Sequence, residues 1–331
     1  VEESRYAPEL LRHFKGRVDQ DRLPGRYLIA GSQDFLLMQC VAESLAGRCA
    51  VLALPPLALG EAIGAGLVKP AGADDFFWRG GGPDLWRDRS LDRELWLGSY
   101  LATYLERDVR NILHVGSLRD FDRFLRACAL RVGQLLSLAE IARDVGVAPN
   151  TAKAWMSALQ ASHQALLLEP WHVNAGKRLI KTPKLYFTDT GLLLYLLGFR
   201  RWADVTANPA FGAIWENIVI AEFRKALWNR GRRDPMYFWR TASGEEADLV
   251  LEAGARRFVA VECKTAERAD ARDLRGLHAM ARDYGRGALA AACCVCRTPR
   301  AYPLAADIPI RALPLHRALD EILDGAEGPA G

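Results

Sequence analysis

The sequence has no apolar run long enough to cross a membrane. Its longest runs, such as residues 192–199, fall far short of the roughly 20 residues that a bilayer requires. The first residues, VEESRYAPEL, lack the basic and apolar regions of a signal peptide, so the cytoplasm is the expected location and a membrane is not an expected partner. Internal repeats and low-complexity tracts are missing. So are Gly-x-Ser-x-Gly and any Cys/His arrangement for nucleophilic chemistry. Also absent is G-x-x-x-x-G-K-[ST], the loop whose backbone amides cradle phosphates. The one Gly-Lys pair, Gly176–Lys177, has no upstream glycine and is followed by Arg178.

The cysteines do not have metal-cluster spacing. Of the seven, Cys293, Cys294 and Cys296 crowd together, whereas Cys40, Cys49, Cys128 and Cys263 stand singly in apolar surroundings. A cluster needs a second pair of Cys or His nearby. They read instead as small buried hydrophobes, three of them in a strand over residues 288–296, and free thiols suit a reducing compartment. His278 and His316 have no partner at ligand spacing and His172 borders a basic segment; all three read as structural or surface residues.

What is present is an ordinary globular composition, 50% hydrophobic and 25% charged, with a mild net charge of +4. That charge permits contact with nucleic acid without requiring it. A length of 331 residues exceeds one ordinary core, and breaks at Pro55–Pro56, around Gly80–Pro83 and over residues 200–209 divide it. A strand over residues 27–29 runs into a Gly-Ser turn and then a helix, and an amphipathic helix is expected over residues 91–109. The predicted order is an α/β piece, a helical region, a compact middle domain and a C-terminal α/β domain.

The middle domain has the layout of a helix-turn-helix. Ser137 and Glu140 form a capping box, Gly146 supplies the turn, and Pro149 opens the second helix. Ala152, Met156, Leu159 and His163 share an inward face, leaving Asn150, Thr151, Lys153 and Ser157 on the open side. Apolar runs on either side of NAGKR then read as the β-hairpin wing of a winged helix. Lys177, Arg178, Lys181 and Lys184 lie on that wing with no acid among them, so it is a candidate for phosphate contact, with Lys153 the one cation on the second helix. Winged helices also serve as protein–protein scaffolds, so DNA and protein both remain candidate partners.

The segment GEEADLVLEAGARRFVAVECKT places charge where strands should be apolar. Residues 248–252 and 256–264 read as a hairpin turning at Gly254. On the second strand Phe258, Ala260, Glu262 and Lys264 share one face. A hairpin centred on Gly254 sets Asp248 across from Ala260 and one pair from Glu262. Two carboxylates that close can share a divalent cation, with Lys264 beside them to stabilise developing negative charge. On the preceding helix Glu216 can tip toward the same point. The competing reading is an exposed strand with a Glu–Lys cross-strand pair; Asp248 and Glu216 together favour a site of nuclease type, with Asp248 and Glu262 as metal ligands.

These segments carry a resemblance. YAPELLRHFKGRVDQDRLPGRYLIAGSQDFLL, ESLAGR, SYLATYLERDVRNI, LYFTDTGLLLYLLG, WENIVIAEF and GEEADLVLE…VECK follow the order found in AAA-like bacterial and archaeal ATPases. Those proteins carry a C-terminal winged helix and a PD-(D/E)XK nuclease-like domain of unknown function. The resemblance implies a multidomain α/β chain: a partial P-loop NTPase α/β segment (1–59), a helical lid (60–116), a winged helix-turn-helix (117–199) and a restriction-endonuclease-like α/β domain (208–320). It puts Asp248, Glu262 and Lys264 on the nuclease-type signature and Glu216 on the helical acid, with Mg²⁺ as the implied cofactor. It also makes Glu2, Glu3, Ser32, Gln33 and Arg48 remnants of a nucleotide site. With no phosphate-binding loop, ATP is expected only in an intact parent. The chain is thus expected to be a fragment of such a parent, with a natural remnant as the alternative. A non-catalytic DNA- or protein-binding module is the competing function.

Overall fold

The structure, a computed structural model, describes residues 8–30, 45–104, 117–171, 182–254, 257–304 and 308–325. Its N-terminal part is helical, with α1 (Pro8–Gln20), α2 (Leu59–Gly64), α3 (Ala73–Arg79), α4 (Pro83–Arg87) and α5 (Arg93–Tyr104). Residues 27–29, expected as a strand, have no regular structure. Leu28 is 82% exposed, and Leu52 and Leu54 of the apolar run before Pro55 also face solvent. Most of the helix expected after residue 29 falls on positions 31–44, outside the described residues.

The middle segment follows its local signals closely. It contains α6 (Leu118–Ala129), α7 (Leu138–Val145), α8 (Pro149–Ala161), β1 (Ala165–Pro170) and β2 (Lys184–Phe187). Ser137 Oγ accepts the amide of Glu140 at 3.4 Å, which is the serine half of the expected capping box. Gly146 closes α7 with φ of 85°, a left-handed position that a side chain would strain. Ala152, Met156 and Leu159 are buried, together with Trp155. His163 departs from expectation: α8 has already ended, its φ is 56°, and its ring meets Trp228 edge-on at 5.0 Å.

The remainder comprises α9 (Thr190–Leu196), α10 (Trp202–Thr206), α11 (Phe211–Asn229), β3 (Met236–Arg240), β4 (Glu246–Glu252), β5 (Phe258–Cys263), α12 (Arg275–Tyr284), β6 (Leu289–Val295), β7 (Tyr302–Leu304), β8 (Ile310–Leu313) and α13 (Leu315–Gly325). All eight strands join one mixed sheet in the order β2-β1-β3-β4-β5-β6-β8-β7. The middle segment was expected to stand apart, but its strands belong to this sheet. Glu169 and Pro170 of β1 pair in parallel with Tyr237 and Phe238 of β3, and the Trp171 amide extends the ladder to the Phe238 carbonyl. The boundary expected between residues 199 and 208 is therefore crossed by a single sheet.

Two apolar layers cover the faces of β4–β6. Leu249, Leu251, Val259, Val261, Cys293 and Val295 point into the larger core with α11 and α13, and Val250, Phe258, Ala260 and Cys294 point to α12. The strands are apolar on both faces because both faces are covered. Helix α11 is apolar around most of its circumference and is buried on several sides. Its buried side chains Asn217, Glu222 and Lys225 each have a partner. The Asn217 side chain accepts the Phe187 amide and donates to the Phe187 carbonyl, closing that position of β2. Glu222 pairs with Lys225 and also accepts the Leu59 amide at 2.7 Å, while Lys225 donates to the Leu57 carbonyl. Helix α11 thereby ties residues 57–59 to the sheet.

Candidate metal centre

The site lies where β4 is irregular. Tyr237 pairs with Val250 and Trp239 with Ala247, so two steps along β3 correspond to three along β4. The extra residue is a β-bulge at Asp248–Leu249, and a bulge re-aims the side chains it contains. Ala247 and Val250 consequently share one core, whereas Leu249 packs in the other, on the α11 side. Asp248 turns with Leu249 to meet α11. Carboxylate oxygens of Glu216, Glu246 and Asp248 all lie within 4.8 Å of one another, the only such acidic or thiol group among the described residues.

The hairpin register differs from the one expected. Val250, not Asp248, stands opposite Ala260, and Leu249 stands opposite Val261. The expected register centred on Gly254, but the turn is longer: the Ala253 amide reaches the Arg257 carbonyl. Continuing the observed register brings Asp248 level with Glu262, where Asp248 Oδ2 accepts the Cys263 amide at 2.7 Å. The carboxylate thus takes over the role of a ladder carbonyl.

Glu262 stands beside the trio. It is 7% exposed, its Oε1 takes the Lys264 ammonium at 2.7 Å, and its Oε2 is buried with no hydrogen-bond partner. Burial pushes its carboxyl well up, and the charges of Asp248 and Glu216 add to this while Lys264 opposes it. An unpaired buried carboxylate oxygen is costly unless something answers it.

Sequence reasoning placed Lys184 on a phosphate-contacting wing, and the structure corrects this. Lys184 is 3% exposed and its ammonium donates to Glu216 Oε1 at 2.6 Å and also pairs with Glu246. A lysine closed off by two carboxylates offers no charge to a surface phosphate. Burial alone would lower its pKa, but Glu216, Asp248 and Glu246 hold it above the ordinary value. The Tyr186 hydroxyl donates to the same Glu216 oxygen at 2.5 Å. Burial, reinforced by Asp248, pushes the Glu216 carboxyl up to about 7 against the pull of Lys184 and Tyr186. Arg240 contacts the other oxygen of Glu246 at 3.2 Å. Four carboxylates therefore face three cations, Lys184, Arg240 and Lys264, leaving one negative charge when all are ionised.

Of the residues expected in this site, Glu216 and Asp248 converge with Glu246, whereas Glu262 and Lys264 pair with each other. Glu262 is level with Cys294 of the α12-side core and feels the charges of Asp248 and Glu216. Glu246, Lys184 and Tyr186 were missed. Glu246 stands two residues before Asp248, so strand alternation already puts both on one side; the bulge adds Leu249 to that side.

The other expected positions are placed as follows. Lys153 is exposed on α8. Arg48 is exposed and already bound to Asp19, with Nε at 2.6 Å from one carboxylate oxygen. Glu2, Glu3, Ser32, Gln33, Lys177, Arg178 and Lys181 lie outside the described residues. Cys49, expected in apolar surroundings, is exposed, while Cys128, Cys293, Cys294 and Cys296 are buried free thiols. No helix among the described residues is long and apolar enough to cross a membrane.

Comparison with known proteins adds two matches. Residues 72–203 match a domain of unknown function (DUF8612), and residues 211–317 match a second one (DUF4143), a domain often found with AAA-like ATPases. The uncharacterized proteins Mb2031c of Mycobacterium bovis and Rv2008c of Mycobacterium tuberculosis are each 34% identical over 262 residues, covering 78% of this chain and 56% of the relative. The chain thus spans about half the length of the curated relatives it matches. No solved structure matches it. The DUF4143 match includes Glu216, Glu246, Asp248, Glu262 and Lys264, and begins after Lys184 and Tyr186.

Proposed function

We propose that this chain carries a metal-dependent phosphodiesterase site of nuclease type, as part of a longer protein related to AAA-like ATPases. The observation that carries the reading is the convergence of Glu216, Glu246 and Asp248 within 4.8 Å, beside the unpartnered Oε2 of Glu262. Oxygen-only ligands of this kind suit a hard divalent cation such as Mg²⁺ or Mn²⁺. Charge supports the same choice. With all four carboxylates ionised the cluster is one negative charge in excess. A divalent ion together with one phosphodiester anion brings one positive charge and neutralises it, and the ion's own charge favours that ionised state.

Asp248 and Glu262 would hold the ion, with Glu216 and Glu246 completing its surroundings. When bound, a divalent ion polarises a phosphate oxygen and acidifies water. Lys264, one-third exposed and held by Glu262, is placed to stabilise charge on a phosphate entering from solvent. The Glu216 carboxyl titrates near neutrality, so it can accept or release a proton at the oxygen that Lys184 and Tyr186 leave free.

The order of three helices, α6 to α8, followed by the antiparallel pair β1–β2 supports a winged helix, with DNA as its proposed partner through Lys153, Lys177, Arg178 and Lys181. A nuclease assay on single- and double-stranded DNA with Mg²⁺ or Mn²⁺ tests the enzyme. Cutting should require the metal and disappear in Asp248→Ala and Lys264→Ala; cutting that survives both substitutions refutes the reading. One observation favours a second, non-catalytic reading: the Lys184 ammonium already bridges Glu216 and Glu246. A binding module would shift DNA in a salt-dependent way without cleavage and lose this on Lys177→Glu/Arg178→Glu.

A further inference from the structure

The acid trio already holds a cation of its own. Lys184 donates to Glu216 Oε1, which also receives the Tyr186 hydroxyl, and it pairs with Glu246 Oε1, while Arg240 takes Glu246 Oε2. Both Glu246 oxygens and one Glu216 oxygen are therefore engaged by donors. The main chain of Lys184 is fixed, paired with Leu168 in the β1–β2 ladder and with Leu135 by a single bridge. Only the side chain is free to rearrange. Glu262, which pairs with Lys264, has a second oxygen, Oε2, that is buried and unclaimed.

We propose that Lys184 is a built-in competitor for the divalent cation, its ammonium and the metal excluding each other at Glu216 and Glu246. The inference rests on the metal-site reading above. An ion and an ammonium sharing one pair of carboxylates would stand a few ångströms apart and repel strongly in so shielded a place. The ion therefore enters at Asp248 and Glu262 and completes its ligand shell by driving Lys184 off the trio. The ammonium already lies over the face of Phe238, 5.4 Å from the ring centre, so that contact holds it where it is and must also yield when the ion drives it off. In the metal-free protein the same lysine neutralises carboxylates that would otherwise repel one another, so the site stays folded until metal arrives.

The test is titration of Mn²⁺ alone into the full chain by calorimetry, with wild type, Lys184→Met and Asp248→Asn. Lys184→Met should bind Mn²⁺ about tenfold more tightly or better, as expected on removing a like charge at this range, and Asp248→Asn should bind less. If wild type binds, Asp248→Asn does not, and Lys184→Met is no tighter, the competition is refuted while the metal site stands. If neither wild type nor Lys184→Met binds, both readings fall. Brief acylation of the wild type gives a measurement independent of how well Lys184→Met folds. Excess Mg²⁺ should raise the modification of Lys184 but leave Lys225, equally buried against Glu222, protected. Unchanged protection of Lys184 with Mn²⁺ or Mg²⁺ bound overturns the inference.

Discussion

Lys184 on β2 and Glu216 on α11 are 32 positions apart in sequence and meet at 2.6 Å, with little of either side chain in contact with water. A buried ion pair contributes modestly as a pair, but removing one partner strands the other. Lys184 answers two carboxylates, so its loss leaves more behind than an isolated pair would.

Lys184→Met should therefore lower stability by about 3–5 kcal/mol in metal-free buffer. Lys184→Met/Glu216→Gln should recover a large part of this, because the stranded charge goes with its partner. Urea unfolding of wild type, single and double variants measures both terms. A double variant no more stable than Lys184→Met would show that Glu216 is not the group left uncompensated.

The carboxyl of Glu216 gives the site a pH dependence whose sign is fixed. Its ordinary value is 4.5, and burial first, then Asp248, push it up to about 7 in the folded protein. Between these values the folded chain keeps a proton that the unfolded chain has released. Stability should fall as pH rises through that window and level off above it, by up to about 3 kcal/mol from this group. Asp248 and Glu262 are raised in the same direction, chiefly by burial, and steepen the fall. Denaturation at a series of pH values should show a shallower slope in Glu216→Gln than in wild type. Equal slopes would remove Glu216 as a source.

A second buried pair makes a prediction away from the site. Glu222 and Lys225 on α11 are both enclosed and bind the main chain at Leu59 and Leu57. Glu222→Ala leaves a buried ammonium and a buried amide unanswered, so a loss of about 3–5 kcal/mol is expected. Glu222→Leu/Lys225→Met should be markedly milder. Proteolysis should also reach residues 57–59 sooner in Glu222→Ala; cleavage there at the wild-type rate would mean that the bond to Leu59 does not hold this segment.

Much of this architecture was legible because local chemistry and final structure agree. Ser137 and Gly146 bound α7 through backbone groups that they satisfy themselves, and Pro149 opens α8 at a position where no amide is needed. Asp248 and Glu262 were legible because charge inside an apolar strand pattern needs a reason. Lys184 was misread since its neighbours in sequence are basic, whereas its neighbours in space are acids from α11 and β4. Nothing local announces a partner 32 positions away. Glu246 shares the side of Asp248 by plain strand alternation, but it stands outside the apolar run that drew notice to Asp248, and its partner Lys184 comes from a distant strand. The joining of β1 to β3 was hidden for a similar reason: parallel pairing across a long connection leaves no turn signal.

The bulge is held from behind by a glycine, and this contact gives the sharpest structural test. A Cβ built on Gly276, in the first turn of α12, would lie 1.5 Å from the carbonyl oxygen of Glu246. No rotamer relieves this, since the clash is with main chain. Gly276→Ala must push α12 away from β4 or shift Glu246 and its bulge, costing upward of about 2 kcal/mol. Gly212, exposed in α11 with open space around it, is the matched control, and Gly212→Ala should stabilise by about 0.5–1 kcal/mol. Because Glu246 is one of the three converging carboxylates, Gly276→Ala should also weaken Mn²⁺ binding, although residue 276 touches no ligand oxygen. A Gly276→Ala protein with both wild-type stability and wild-type Mn²⁺ affinity would show that the close approach of α12 to β4 does not position the site.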